Sequence, residues 1–283
     1  MKYQIPNNEI NYYKFDKNNN IEYNENDYER IISIGDIHGC YDKLINLLNQ
    51  VKPTNKDLLI FHGDYLDRGP NNFKCMEFVI KMINYRNCIF LLGNHELLLL
   101  QHILYNINYD QTIKMSDVYN MPIDEFKQLF DTKIMGFDHF ENYFPNGGYK
   151  TLYEIDTIEK LKVFQQYIYI IANLYTTFEM TINNQLYIFV HAGINPMKTM
   201  DEQLLEDFTW VREEFYNAYV GTAKFIIGHT PTVNINGEYQ PIILPNNIMM
   251  IDTGSWRGHI SAVNIKTNKF WQDTIKPFKK ELK

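Results

Sequence analysis

The sequence predicts an α/β fold in which strands and amphipathic helices alternate, with a helical cap inserted part-way along the chain. Two observations lead there. Short apolar, often β-branched runs are separated by segments whose apolar residues recur every three or four positions. Several of those runs stop abruptly at a cluster of Gly, Asp, His or Asn.

Residues 1–29, rich in Asn and Tyr, read as an irregular N-terminal arm, and 30–283 as a single domain. "RIISI" (30–34) is a strand, and "YDKLINLLNQV" (41–51) is a helix that lines up Leu44, Leu47, Leu48 and Val51 on one face. "DLLIFH" (57–62) is the next strand. "NFKCMEFVIKMI" (72–83) is a second helix with Met76, Val79, Ile80 and Ile83 in line, and "NCIFLL" (87–92) is a third strand. Such alternation implies largely parallel strands. The stretch from about 97 to 175 is helix-prone and aromatic, with a turn at "FPNGGY" (144–149), and is expected to cap one edge of the sheet. "TTFEMTINNQLYIFVHAGI" (176–194) reads as a hairpin turning at Asn183–Asn184. "KFIIG" (224–228), "NIMMI" (247–251) and a last strand near "HISAVNI" (259–265) complete the pattern.

Composition excludes some classes of function. A formal charge of −7 and 22% charged residues do not supply the basic stripe that tracks nucleic-acid phosphates, so no nucleic-acid partner is expected. No apolar run reaches membrane-span length, and the polar N-terminus lacks the apolar core of a signal peptide. A cytoplasmic monomer is the expectation. Cys40, Cys75 and Cys88, with no CxxC spacing, read as reduced core thiols.

The strand ends carry the chemistry. "RIISI" leads into "GDIHG" (35–39), "LLIFH" into "GDYLDRG" (63–69), "CIFLL" into "GNHE" (93–96), "LYIFV" into "HAG" (191–193) and "KFII" into "GHT" (228–230). In open α/β sheets the carboxyl ends of strands converge on the ligand crevice. Three Asp, four His and one Asn are thereby delivered to one place. Carboxylates, imidazoles and an amide without thiolate suit Mn²⁺, Fe or Zn²⁺. The set exceeds what one catalytic ion needs and suits two ions about 3.5–4 Å apart sharing a carboxylate. Each motif alone has an ordinary structural reading. His62 and His102 read as hydrogen-bonded structural imidazoles, whereas five motifs after five strands point to a site.

At these residues the sequence resembles the PPP family of metallophosphatases, within the calcineurin-like phosphoesterases. GDxHG, GDxxDRG, GNHE, HAG and a later GH occur without substitution between Arg30 and about Ile265. "NGGYKTL" (146–152) and "FTWVRE" (208–213) also resemble segments of bacterial members. The resemblance implies a central β-sandwich flanked by helices (α/β/β/α). It implies that Asp36 and His38 bind a first metal, that Asp64 bridges, and that Asn94, His191 and His229 complete the second site. His95 is implied as the acid protonating the leaving oxygen, with Asp67 orienting it and Arg68 and Arg212 gripping the phosphate. Glu96 is implied to support the loop rather than to ligate. Two divalent ions, Mn²⁺ foremost, are the implied cofactors, and hydroxide bridging them attacks phosphorus in line.

A bacterial-type serine/threonine protein phosphatase acting on phosphoprotein or phosphopeptide is the leading expectation. A symmetrical dinucleoside polyphosphate hydrolase is the alternative, set second because Asp67 and Glu96 differ in several diadenosine tetraphosphate hydrolases. A non-catalytic phosphate-binding protein is disfavoured by the intact ligand set. In "IDTGSWRGHISAV" (251–263) the loop is one residue shorter than in bacterial relatives and holds Trp256, Arg257 and His259. Arg257 reads as a solvent-facing arginine, with a phosphate contact as the other reading.

Overall fold

A computed structural model describes residues 23–107, 115–135 and 142–276. Most of the N-terminal arm lies outside the described residues. Its end carries a short 3-10 turn at Glu25–Asp27.

The strands form two five-stranded sheets. The first contains β1 (Arg30–Ile34), β2 (Asp57–Phe61) and β3 (Cys88–Phe90) in parallel, with β9 (Ser261–Asn264) antiparallel to β1 and β10 (Lys269–Gln272) outside it, in the order β10-β9-β1-β2-β3. The second runs β4-β5-β6-β8-β7: β4 (Thr177–Ile182), β5 (Gln185–Val190), β6 (Lys224–Ile227), β8 (Ile248–Met250) and β7 (Ile242–Leu244). Its β5, β6 and β8 are parallel, and both edge strands are antiparallel.

Alternation along each strand explains the layering. In β1 and β2, Ile32, Ile34, Leu59 and Phe61 face the helices, while Ile31, Leu58 and Ile60 face the other sheet. In β5, β6 and β8, Phe189, Ile226 and Met249 point inwards to meet them, and Val190, Ile227 and Met250 point outwards. Side chains two apart share a face, so an unbroken apolar run feeds two cores at once. Helices α1 (Tyr41–Val51) and α2 (Asn72–Met82) cover the outer face of the first sheet. Between β3 and β4 come α3 (Asn94–Ile107), α4 (Met115–Asn120), α5 (Ile123–Leu129), a π-turn at Phe130–Ile134, α6 (Gly148–Tyr153) and α7 (Ile158–Ile171). Phe126, Phe130, Phe164 and Ile168 of this segment join the same helical core. Helix α8 (Leu205–Trp210) packs Phe208 on the outer face of the second sheet.

The β4–β5 hairpin turns at Asn183 (φ 50°) and Asn184 (φ 60°), the left-handed pair of a type I′ turn. Two strands depart from expectation. The three-residue β7 and the four-residue β10, which follows the strand expected to be last, are short, partly exposed edges. Pairing to β8 and β9 defines them, and so brief a segment carries no periodic signal of its own.

Candidate active site

The ends of β1, β2 and β3 from one sheet and of β5 and β6 from the other meet along one edge of the sandwich. The loops leaving them hold Asp36, His38, Asp64, Asn94, His95, His191 and His229, all buried. Crowding is tolerated because two glycines stand where the β2 and β3 loops touch. A Cβ on Gly63 (φ 90°) would lie 2.5 Å from the Gly93 nitrogen, and one on Gly93 would lie 2.3 Å from Asp64 Oδ1. His38, Asp64, Asp67, Arg68 and His229 all have φ between 47° and 72°, backbone that non-glycine residues rarely adopt. Strain of this kind gathers at functional sites when surrounding contacts enforce it.

Asp64 is the centre of the cluster. Its Oδ2 lies 3.4 Å from His38 Nε2 and 4.0 Å from His95 Nε2, and its Oδ1 lies 3.4 Å from His191 Nε2. Potential ligand atoms of His38, Asp64 and His95 all fall within 4.8 Å of one another, as do those of Asp64, His191 and His229. Asn94 Oδ1 completes the second group, 3.0 Å from His191 Nε2 and 2.9 Å from His229 Nδ1. Asp36 borders the first group, with Oδ2 4.0 Å from His38 Nε2, and also accepts from the His229 amide.

The imidazoles are pre-set for coordination. His38 Nδ1–H donates to the Leu66 carbonyl (3.0 Å) and His191 Nδ1–H to the His62 carbonyl (2.6 Å), so each keeps its Nε2 lone pair towards Asp64. Burial holds the pKa of His38, His191 and His229 below the ordinary imidazole value. Burial works against the Asp64 charge too, but His191, His95, His38 and His229 outweigh it and its pKa falls. Asp36 goes the other way, raised by burial and then by Asp252 and Asp64. Neutral imidazoles, an amide oxygen and closely spaced buried carboxylates form a donor set that fits two divalent ions.

His95, a member of the first group, has partners unlike those of His38 and His191. Its Nδ1–H donates to Asp67 Oδ2 (2.6 Å), and its Nε2 accepts from Arg68 Nη2 (2.8 Å). Burial lowers its pKa, but Asp64 and then Asp67 more than compensate, and the net shift is upward. Arg68 also donates to His38 Nε2 (3.0 Å), and its Nε–H reaches the Asn146 carbonyl (3.4 Å). Arg212 donates to the His229 carbonyl and to Thr230 Oγ1. Glu96 belongs to neither group of potential ligand atoms. Its carboxylate accepts from the amides of Asp64 (2.8 Å), Tyr65 (2.9 Å) and Gly93 (3.1 Å), which fixes the loop bearing Asp64.

Three contributors escaped the sequence reading. Tyr143 donates to Asp67 Oδ1 (3.0 Å), and Thr151 Oγ1 donates to the same oxygen. Asp252, buried beyond β8, accepts from the Gly254 amide (2.8 Å) and acts on Asp36. It ends "NIMMI" as Asp36 ends "RIISI", so the strand-end rule could have found it. Thr151 lies in the "NGGYKTL" segment, though nothing there points to Asp67, and nothing local marks Tyr143. His62 and His102 have structural partners, the carbonyls of Val190 and Ile134.

The calcineurin-like phosphoesterase profile matches residues 29–248. The chain belongs to that family. A bis(5'-nucleosyl)-tetraphosphatase PrpE [asymmetrical] of Geobacillus sp. is 25% identical over 249 residues, covering 80% of this chain and 85% of the relative. A bis(5'-nucleosyl)-tetraphosphatase, symmetrical, of Wigglesworthia glossinidia brevipalpis is 36% identical over 92 residues, 31% of this chain and 32% of that one. Among solved structures, one provisionally described as a diadenosine tetraphosphatase superposes with a TM-score of 0.57 at 17% identity, covering 91% of this chain and 97% of the other. The calcineurin-like metallophosphoesterase, with its two mixed sheets between helices, is therefore the fold of this protein. No helix among the described residues is long and apolar enough to cross a membrane.

Proposed function

We propose that this calcineurin-like phosphoesterase is a two-metal hydrolase of dinucleoside polyphosphates that cleaves a tetraphosphate asymmetrically into nucleoside triphosphate and monophosphate. The supporting observation is the relative named as an asymmetrical tetraphosphatase, similar across four-fifths of this chain. The symmetrical relative is similar over less than a third. Phosphoprotein hydrolysis, placed first on the presence of Asp67 and Glu96, loses that support. Both carboxylates are occupied within the protein, Asp67 holding His95 and Glu96 the Asp64 loop, so their presence serves any phosphoryl substrate and favours none.

Asp36, His38 and Asp64 would hold one ion, and Asp64, Asn94, His191 and His229 the second. When bound, such a pair activates water for attack on phosphorus near neutral pH and neutralises charge on the phosphoryl oxygens. The chain's own groups do the rest. Arg68 and Arg212, both half-buried beside the cluster, present guanidinium forks to the remaining phosphate oxygens. As Arg68 turns to phosphate it releases His95 Nε2, which then carries the proton for the departing oxygen. Asp67 keeps the other nitrogen protonated and the ring in place.

The test is product analysis by anion-exchange chromatography of diadenosine tetraphosphate incubated with the Mn²⁺-loaded protein. ATP with AMP supports the proposal. Two ADP would make the cleavage symmetrical, and turnover of phosphoserine peptide without any of the dinucleotide would overturn the substrate class.

A further inference from the structure

Next to the metal-ligand cluster, the chain carries an aromatic and cationic pair that the chemistry above does not use. Arg68, which touches both His38 and His95, has its guanidinium carbon 5.9 Å from the centre of the Trp256 ring. The guanidinium of Arg257 lies over the same ring at 3.9 Å. A guanidinium stacked by its face keeps its in-plane N–H edge free for anions. Among the described residues, the Arg257 side chain forms no hydrogen bond or ion pair, and it is exposed. In a protein of net charge −7, such an exposed cation on the ring that Arg68 also faces stands out.

The loop that presents the pair is held rigidly. Buried Lys43 on α1 donates from Nζ to the carbonyls of Ser255 (2.6 Å) and Gly258 (2.7 Å). The amides of Arg257 and Gly258 both return to the Gly254 carbonyl. A Cβ on Gly258 would lie 2.2 Å from the Tyr239 ring, so the loop is seated against that side chain. A platform ordered in advance loses little entropy on binding.

We infer that Arg257, stacked on Trp256, is a polyphosphate clamp that binds the phosphates beyond the one hydrolysed and favours polyphosphate chains over simple monoesters. The inference rests on the dinucleoside polyphosphate reading above. Both guanidinium carbons are measured from one ring, so their separation cannot exceed the sum of 5.9 and 3.9 Å. A short run of bridged phosphates spans that gap: Arg68 grips the reacting phosphoryl group and Arg257 a later one. A monoester such as p-nitrophenyl phosphate offers Arg257 nothing to bind.

The experiment compares wild type with Arg257→Gln, Trp256→Leu and Trp256→Phe, all Mn²⁺-loaded. It measures kcat/KM for diadenosine tetraphosphate and p-nitrophenyl phosphate, and inhibition of the latter's turnover by inorganic tripolyphosphate and by orthophosphate. Loss of a charge-assisted phosphate contact should lower the ratio of the two kcat/KM values about tenfold in Arg257→Gln, through KM. Tripolyphosphate inhibition should weaken by a similar factor relative to orthophosphate. Trp256→Leu should share part of the loss, and Trp256→Phe, which keeps a stacking face, should restore most of it. Equal effects on both substrates, with the preference for tripolyphosphate over orthophosphate intact in Arg257→Gln, would overturn the clamp. If wild type fails to cleave the dinucleotide, the proposed function falls. The two inhibitors still read the clamp, which falls separately if wild type does not prefer tripolyphosphate.

Discussion

Asp67 Oδ2 lies 2.6 Å from His95 Nδ1, and the other oxygen of the same carboxylate accepts hydrogen bonds from the hydroxyls of Tyr143 and Thr151. The carboxylate is thereby locked by residues that reach it from 76 and 84 positions along the chain. Such a fixed acceptor sets the imidazole tautomer, leaving Nε2 as the nitrogen that exchanges a proton.

Replacing His95 with Asn should therefore cost most where the departing oxygen most needs a proton. A fall of about 10²–10⁴ in kcat is expected for an alkyl phosphate such as a phosphoserine peptide. The loss should be much smaller for p-nitrophenyl phosphate or a polyphosphate, whose leaving oxygens are weakly basic. Asp67→Asn should follow the same ranking. Steady-state kinetics across leaving groups, with metal content measured alongside, checks this; a uniform loss tracking metal content would reject the acid role.

Chelation should silence the enzyme. Dialysis against EDTA is expected to reduce turnover at least a hundredfold, in line with the several kcal/mol a metal contributes as Lewis acid. Mn²⁺ titration should restore activity with two equivalents per chain, counted by calorimetry. One equivalent at full activity would contradict the pair of groups that share Asp64.

Glu96→Gln should damage the loop rather than the chemistry directly. The carboxylate accepts three backbone amides, and a carboxamide turns one of those acceptors into a donor facing a donor. A loss of about 1–3 kcal/mol in stability is expected, with weaker Mn²⁺ binding. Chemical denaturation and metal titration report both; an unchanged midpoint would deny Glu96 its supporting role.

His102 gives stability a defined pH dependence. Burial lowers its pKa to about 4, and it donates through Nε2–H to the Ile134 carbonyl. Unfolded, it titrates near the usual value of about 6.5. Between these values the unfolded chain binds the extra proton, so its contribution is complete above the unfolded pKa and is lost as pH falls towards 4. The slope is at most about 1.4 kcal/mol per pH unit. His102→Gln should flatten the difference between urea midpoints at neutral and mildly acidic pH by that order, and an identical slope would exclude the effect.

The thiols should be silent in the folded protein. Cys40, Cys75 and Cys88 are buried, and burial pushes Cys40 and Cys88 up to about 12 and raises Cys75 as well. A thiol-specific chromogenic reagent should find none of the three promptly in buffer and all three in denaturant. A fast-reacting thiol in the folded state would show that one of these sites opens.

The sequence by itself determined the parts of this protein that are written locally. Apolar runs and helical periodicity marked β1, α1, β2, α2 and the β4–β5 hairpin, because a buried strand or an amphipathic face needs its pattern within a few consecutive residues. The polar clusters at the strand ends likewise named the residues that gather around Asp64, since their side-chain types reveal their chemistry wherever they fold. Only the tertiary structure decided how the strands divide into two sheets, that β7 and β10 exist at their edges, and which groups surround the cluster at Asp64. Tyr143 and Thr151 on Asp67, Asp252 beside Asp36, and Lys43 under the Trp256 loop act across long stretches of chain. Contacts of that kind arise when distant segments pack together, and no short window of sequence holds both partners.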